Sequence, residues 1–360
     1  MVTSSLTVSP HAKKTRLFYF DLLRVFACLS VIMIHVSAEY AVKEVGSIDF
    51  WIGNIFDSIS RAGVPLFVMI SGALMLDEEY HFTKEKWIQH IGKMLMFFIF
   101  WSFSYSLLYK VGIPLINHEK VDVLSIALAV LKGHYHLWFV PMIIGLYLIV
   151  PLLRLWVKQQ NKKYVEYFLL LSLVFAFIIP QSIQLMVCID SKFELLYGLI
   201  DNMYIKYTLG FTSYFVLGWY LHNCDLSYKK LLYILGLAGG CLTCLGTYAV
   251  FAYTSSKEVV FYNNFSVNVL LYSVAIFVLM KSVCENIHYS SSLFHKTISF
   301  ISKCSLGVYA VHIAIISVVS HFLAQFSVLI AIPSIFIVCT ALSVIASLII
   351  SKIPFFKKFV

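Results

Sequence analysis

The chain has 360 residues, of which 60% are hydrophobic, 16% are aromatic and only 12% are charged. A water-soluble domain of this length carries far more charge, so the composition excludes one and predicts a polytopic membrane protein. The formal net charge of +9 could indicate a nucleic-acid partner, but the distribution of the basic residues gives it another meaning.

Apolar windows between charged or turn-rich breaks predict an all-α integral membrane bundle of about ten transmembrane helices. The predicted spans lie near residues 17–38, 50–76, 87–110, 137–156, 164–183, 205–222, 230–253, 265–283, 298–323 and 327–351. Most basic residues outside the spans fall on one side, so the positive-inside rule makes both termini cytoplasmic and excludes a nucleic-acid surface. The predicted organisation is a cytoplasmic tail at 1–16, a transmembrane domain at 17–351 and a basic cytoplasmic tail at 352–360.

The first predicted span contains ionisable side chains on one face. Arg24 and His35 are eleven residues apart, which places them within about 20° of one another and about 16 Å apart along a helix. Asp21 and Cys28 share this face. Because such residues are costly to insert, they hold helices together or do chemistry. Arg24 offers donors to a carbonyl or phosphate and neutral His35 accepts a proton. In the structural alternative Asp21 and Arg24 only neutralise each other, and His35 bonds a backbone carbonyl on a neighbouring helix.

The second predicted span places Arg61 near mid-membrane, followed by Pro65 and Ser71. Pro65 should kink this helix. Arg61 is a candidate binding residue, and Asp57, one turn earlier, offers the simpler alternative of a buried ion pair.

Two further sequence patterns are candidate binding sites, one of lysines and one of cysteines. Lys86 and Lys93 lie on an amphipathic start to the third helix, where they could bind phosphates of a ligand or anionic lipid headgroups. Cys241 and Cys244 form a C-x-x-C pattern inside an apolar helix, which indicates packing rather than a redox or metal pair. No metal site is predicted.

The fourth and ninth predicted spans carry polar and aromatic side chains. His136 and Trp138 begin the fourth span on the same side as His35, where an aromatic belt would explain the tryptophan without any activity. A polar stripe on the ninth span must face the bundle interior, either to bind a ligand or to bond neighbouring helices. This stripe consists of Ser302, Ser305, Tyr309 and His312.

Together these residues resemble the acyltransferase 3 family, the ten-helix membrane O-acetyltransferases that modify bacterial surface polysaccharides. The matching segments are Phe20 to Arg24 with His35, Arg61 to Gly72, His136 to Phe139, and Ser305 to His312. Within the family the chain is most similar to the stand-alone enterobacterial common antigen O-acetyltransferase type. The resemblance implies that Arg24 helps to hold or polarise acetyl-CoA and that His35 is the catalytic histidine. The substrate-binding residues that it implies are Asp21, Arg61, Ser71, Lys86, Lys93, His136, Trp138, Ser305, Tyr309 and His312.

The expected function is therefore transfer of an acetyl group from cytosolic acetyl-CoA to a hydroxyl of an extracytoplasmic polysaccharide or lipid-linked sugar. We expect an enzyme of the bacterial inner membrane with no permanently bound cofactor. Its expected partners are acetyl-CoA, the glycan acceptor and the lipid bilayer, with homo-oligomer formation left open. The alternative is a transporter or flippase that uses the intramembrane Arg and His residues as a proton or substrate path.

Overall fold

The computed structural model of the protein describes residues 17–77, 82–116, 120–158, 162–224, 226, 228–254, 258–285 and 292–359. In these ranges the chain is helical and contains no strand. The α-helices are α1 Phe18–Ser37, α2 Ile48–Ser60, α3 Gly63–Met75, α4 Lys84–Leu107, α5 Ile113–Ile116, α6 Val123–Lys132, α7 Phe139–Lys158, α8 Lys162–Ser172, α9 Ile179–Ile189, α10 Leu195–Asp201, α11 Ile205–Asn223, α12 Lys229–Tyr253, α13 Val267–Glu285, α14 Leu293–Leu323 and α15 Val328–Lys352.

Within the described part of the chain, 9 helical stretches are long and apolar enough to cross a membrane. They confirm the all-α multi-pass membrane fold class. The helix at the sixth predicted span, α11, is not among them because it carries more polar side chains, including Thr212 and Ser213. Both of these side chains are buried. Contact with α3 and α8 places α11 inside the bundle, where its polar groups need not face lipid.

The first helix, α1, lies among other helices. It packs against α2, α3, α13, α14 and α15. Leu23 and Ala27 on α1 are completely buried, and Asp21 is almost completely buried. Because α1 is surrounded by protein, its ionisable residues are shielded from the lipid hydrocarbon, where they would be most costly.

The second predicted span consists of two helices rather than one kinked helix. α2 ends at Ser60, Arg61 follows as its C-cap, and α3 begins at Gly63. Pro65 lies in the first turn of α3, where its missing N–H costs no intrahelical hydrogen bond. The proline therefore belongs to the start of a new helix.

A close helix contact joins α3 to α11. A Cβ added to Gly72 would overlap the main chain of Phe215, and one added to Gly218 would overlap the main chain of Met69. Only glycine allows two backbones to approach this closely. The contact fixes the relative position of two helices that reach the cavity described below.

We expect Gly72→Ala to lower the thermal unfolding temperature of the detergent-solubilised protein by several degrees. Overpacking a buried contact costs about 1–3 kcal/mol or more, and main-chain atoms cannot rotate away as a side chain can. The matched control is Gly145→Ala on α7, where an added Cβ meets nothing within 4 Å. A melting temperature for Gly72→Ala equal to that of the control would contradict the close contact.

The chain after α15 returns to the surface of α4. Trp101 Nε1 donates a hydrogen bond to the carbonyl oxygen of Phe359 at 2.9 Å, and the rings of Phe100 and Phe359 stack with centroids 4.3 Å apart. The C-terminal segment, predicted from the sequence to be a basic cytoplasmic tail, thus contacts the bundle. The predicted tail at 1–16 lies outside the described residues.

Candidate functional site

A cavity of about 620 Å³ follows α1 for most of its length. Leu17, just before α1, and His35, in its last turn, both line it. Eighteen residues of helix span about 27 Å, so the cavity extends over nearly the thickness of a bilayer core. The rest of its mostly apolar wall comes from α3, α4, α7, α11 and α14 and from the turn before α7. We call its two extremes the Leu17 end and the His35 end.

The cavity brings together many of the side chains that the sequence predicts as site residues. Those in its wall are Arg24, His35, Ser71, His136, Trp138, Ser305 and Tyr309. They come from α1, α3, α14 and the 3-10 turn Tyr135–Trp138. Residues from four distant parts of the chain therefore share one space.

Arg24 is held from behind by a buried carboxylate. Its Nη1 atom lies 3.5 Å from Oδ1 of Asp21. Asp21 also accepts hydrogen bonds from the hydroxyls of Ser299 and Ser302, each at 2.7 Å. Asp21 itself does not line the cavity, because its oxygens are directed to α14 and to Arg24. Asp21 thus ties α1 to α14 and orients the guanidinium of Arg24 beside the cavity. The Arg24 side chain is 28% exposed.

Three histidine rings meet at the His35 end. The ring centre of His312 lies 5.3 Å from that of His35 and 5.5 Å from that of His136. Nδ1 of His136 is 2.8 Å from Nδ1 of His134, and Nδ1 of His312 is 2.8 Å from the carbonyl oxygen of Tyr309. His312 is completely buried and does not line the cavity. It lies beside His35, within the protein.

Aromatic side chains surround the same end. The Tyr309 hydroxyl donates to the carbonyl oxygen of His136 at 2.5 Å and so joins α14 to the turn before α7. Trp138 packs on Phe211 with ring centres 5.7 Å apart and is 43% exposed. Tyr135 is 63% exposed, and its ring centre lies 5.9 Å from that of His35. Exposed aromatic faces therefore flank the cavity beside His35.

Arg61 does not line this cavity, and its charge is paired elsewhere. Its Nη2 atom is 2.5 Å from Oδ1 of Asp57, and its guanidinium carbon lies 4.1 Å from the centre of the Tyr262 ring. Nη1 donates to the Tyr262 carbonyl oxygen at 3.4 Å, and the Tyr262 hydroxyl donates to Asn54 Oδ1 at 2.5 Å. The contacts of Arg61 and Asn54 with Tyr262 thus join α2 to the segment that precedes α13.

We expect Asp57→Leu alone to destabilise the protein by about 3–5 kcal/mol, because it leaves the Arg61 charge without its partner. The double variant Asp57→Leu/Arg61→Met, which removes both charges, should recover most of the lost stability. Thermal unfolding in detergent measures both effects. A double variant no more stable than Asp57→Leu would show that Arg61 does not depend on this pair.

Lys86 and Lys93 are exposed on α4 and do not line the cavity. The side chains of α4 in the cavity wall are those of His90 and Met94. Four residues separate these two, so they share one helix face, whereas Lys93 is about 100° away from Met94. Nδ1 of His90 lies 2.7 Å from the carbonyl oxygen of Lys86, one turn earlier on the same helix.

The Leu17 end contains polar residues that are not predicted from the sequence. Asp77, Tyr147 and His222 all line the cavity there. Nδ1 of His222 lies 2.6 Å from the hydroxyl oxygen of Tyr19. Asp77 and His222 lie at the ends of apolar segments, where polar residues are ordinary, and Tyr147 lies in the middle of the apolar helix α7, where a tyrosine packs like other aromatic residues. The sequence therefore gives no signal for these three residues.

Two buried or partly buried cations stabilise the backbone at the Leu17 end. Arg154 Nη1 donates to the carbonyl oxygens of Met75 at 2.6 Å and Asp77 at 2.9 Å. Lys281 Nζ donates to the carbonyl oxygen of His222 at 2.8 Å. These carbonyls belong to the C-terminal ends of α3 and α11, which carry partial negative charge. Capping by the two cations holds both helix ends in the cavity wall.

Comparison with known proteins identifies one family. The model of the acyltransferase 3 family, described as an acyltransferase domain, matches residues 17–352. No curated protein and no solved structure matches the chain. Because the family model covers nearly the whole chain, and the chain has the apolar helices of a multi-pass membrane protein, it belongs to the acyltransferase 3 family of membrane acyltransferases.

Proposed function

We propose that this acyltransferase moves an acetyl group from cytosolic acetyl-CoA to a hydroxyl of an extracytoplasmic surface polysaccharide or lipid-linked sugar. The observation that carries the proposal is the single cavity whose wall contains both Arg24 and His35. These residues are about 16 Å apart along α1, and the cavity continues beyond Arg24 to Leu17. A donor entering from one side of the membrane can thereby bring its acyl group to a histidine near the other side.

The donor enters at the Leu17 end and is held by Arg24. The CoA arm contains amide carbonyls and phosphates, which accept hydrogen bonds from the fixed donors of a guanidinium. Apolar side chains such as Phe20 and Val31 share the wall and favour an uncharged part of the arm at this depth. Lys86 and Lys93, exposed on the surface of α4, are the candidate contacts for the nucleotide phosphates outside the cavity.

His35 acts as the general base in this scheme. It takes the proton of the acceptor hydroxyl as the hydroxyl oxygen attacks the thioester carbonyl, then returns that proton to the sulfur as the C–S bond breaks. Arg24 lies about 16 Å from His35 along α1, too far to contact the thioester carbonyl that is attacked beside His35. The role of Arg24 is therefore to bind the arm of the donor. A second route forms an acetyl-histidine first and passes the acetyl group to the hydroxyl afterwards.

The acceptor approaches from the His35 end. Trp138 and Tyr135 present partly exposed rings there, and aromatic faces pack well on the apolar C–H faces of sugars. His136 and Tyr309 contribute polar atoms to the same part of the wall, and Ser305 lines the cavity one turn of α14 before Tyr309, farther from His35. Together they provide a surface that orients a sugar hydroxyl towards His35.

The proposed setting is the bacterial inner membrane, with both termini in the cytoplasm. Basic residues on the segments assigned to the cytoplasm support this orientation. Acetyl-CoA is then a substrate and no cofactor remains bound between turnovers. Because the sequence resembles the enterobacterial common antigen O-acetyltransferase type, the acceptor that we propose first is the repeat unit of a glycan of that type.

The test uses the purified full chain in proteoliposomes with acetyl-CoA labelled in its acetyl group. We expect label to appear in a base-labile ester on added glycan or lipid-linked sugar, only when the protein is present. Comparing activity in intact and lysed vesicles shows on which side of the membrane the donor and the acceptor must each be supplied. A transporter or flippase would instead move label or lipid across the membrane without forming the ester, and that outcome would overturn the proposal.

A further inference from the structure

A buried histidine next to the proposed base has one nitrogen that nothing in its surroundings uses. His312 is completely buried on α14, and its Nε2 atom has no hydrogen-bond partner among the described residues. Its Nδ1 atom lies 2.8 Å from the carbonyl oxygen of Tyr309. An unpaired polar atom in such a position is costly, so we expect a group within reach to pair with it.

The Tyr309 carbonyl determines which nitrogen of neutral His312 carries the proton. A carbonyl oxygen only accepts hydrogen bonds, so Nδ1 must be the N–H donor at this distance. In the neutral ring the other nitrogen is then an acceptor. The unpaired Nε2 atom of His312 therefore presents a lone pair to its neighbours.

The neighbour able to use that lone pair is His35. The two ring centres are 5.3 Å apart. The His35 ring forms no hydrogen bond with any of the described residues. Rotation of the His35 side chain can bring an N–H to His312 Nε2, because N–H···N bonds are about 2.9 Å long and each nitrogen lies off its ring centre. His136 also has a buried Nε2 atom without a partner among the described residues, but its ring centre lies farther from that of His312, at 5.5 Å, and its Nδ1 atom is held 2.8 Å from Nδ1 of His134.

We propose that His312 is the positioning residue for His35: its Nε2 atom accepts the N–H of His35, so that the other His35 nitrogen faces the cavity as an unprotonated base. This inference rests on the proposed function and adds a third group that orients the base, the arrangement used by many activated nucleophiles. The acceptor proton moves to the cavity-facing His35 nitrogen and later to the sulfur of the leaving thiolate. His312 keeps its own proton on Nδ1 throughout and only stabilises the His35 imidazolium between the two transfers.

Two substitutions separate the proposed role from simple packing. In His312→Asn the amide is short and can replace Nδ1 near the Tyr309 carbonyl, but it offers nothing at the position of Nε2. In His312→Gln the longer side chain can place Oε1, an acceptor, near that position. We expect the Asn variant to lose about 100-fold in kcat with little change in KM for either substrate, because the side chain does not line the cavity. We expect the Gln variant to retain kcat within about tenfold of the wild type.

Both variants are compared with the wild type and with His35→Ala after size-exclusion chromatography and a binding measurement with a non-reactive acetyl-CoA analogue. An Asn variant that folds, binds the analogue and turns over at the wild-type rate would overturn the inference. If the Asn variant does not fold, the Gln variant decides: folded protein with nearly normal kcat supports the role, and folded protein without turnover overturns it. Normal turnover of His35→Ala would instead defeat the proposed function itself.

Discussion

Replacing His35 by alanine is expected to reduce acetyl transfer by about 10²- to 10⁴-fold, the contribution of a well-placed general base. The side chain lines the cavity at the end opposite Leu17 and touches the rings of Tyr135 and His312, so the loss concerns chemistry more than folding. The measurement is the initial rate of ester formation in proteoliposomes at saturating acetyl-CoA and acceptor, per amount of protein that elutes as a single species.

The matched control is His321→Ala, which removes an exposed imidazole from the last turn of α14. It should keep the wild-type rate. A His35 variant that transfers acetyl groups as fast as this control would exclude His35 as the base. The same protein also separates the two chemical routes: in the absence of acceptor, an acetyl-histidine route leaves hydroxylamine-labile label on the wild type and none on His35→Ala.

The sequence predicts most of what depends on a single helix. Arg24 and His35 must share a face of α1 because eleven residues are close to three turns, and both do line one cavity. The fold class follows from composition and from apolar segments of the right length, since lipid leaves few alternatives to a helical bundle. Such properties need no knowledge of which helix lies beside which.

Contacts between distant helices are a different matter, because they depend on packing that no local pattern encodes. Whether Arg61 binds a ligand or forms a structural ion pair depends on its contacts with Asp57 and with Tyr262, which is about two hundred positions away in the chain. The division of the second span into α2 and α3 depends on the same region. His222 lies in the cavity wall on α11, a helix that packs closely on α3 through Gly72 and Gly218. Sequence alone gives each of these residues an ordinary explanation.

Arg24→Gln is expected to raise KM for acetyl-CoA by about 10- to 100-fold, with a smaller effect on kcat. A hydrogen bond to a charged group contributes about 1.5–3 kcal/mol, and the proposed contact is made to the donor arm in ground state and transition state alike. Asp21→Asn should produce a weaker defect of the same kind, because it removes the charge that lies 3.5 Å from the guanidinium while retaining a side chain of similar shape. Initial rates over a range of acetyl-CoA concentrations measure both.

The double variant Asp21→Asn/Arg24→Gln tests whether the two residues act as one unit. If Asp21 works by orienting Arg24, its substitution should add little once the guanidinium is gone, and the combined change in KM should fall well short of the product of the single changes. Multiplying effects would mean that Asp21 contributes independently, through its hydrogen bonds to Ser299 and Ser302. Lys192→Gln, in the exposed pair of Lys192 with Asp190, is the control for loss of a charge and should leave KM unchanged because surface pairs contribute little. An unaltered KM in Arg24→Gln would remove Arg24 from donor binding and leave it as the partner that neutralises a buried carboxylate.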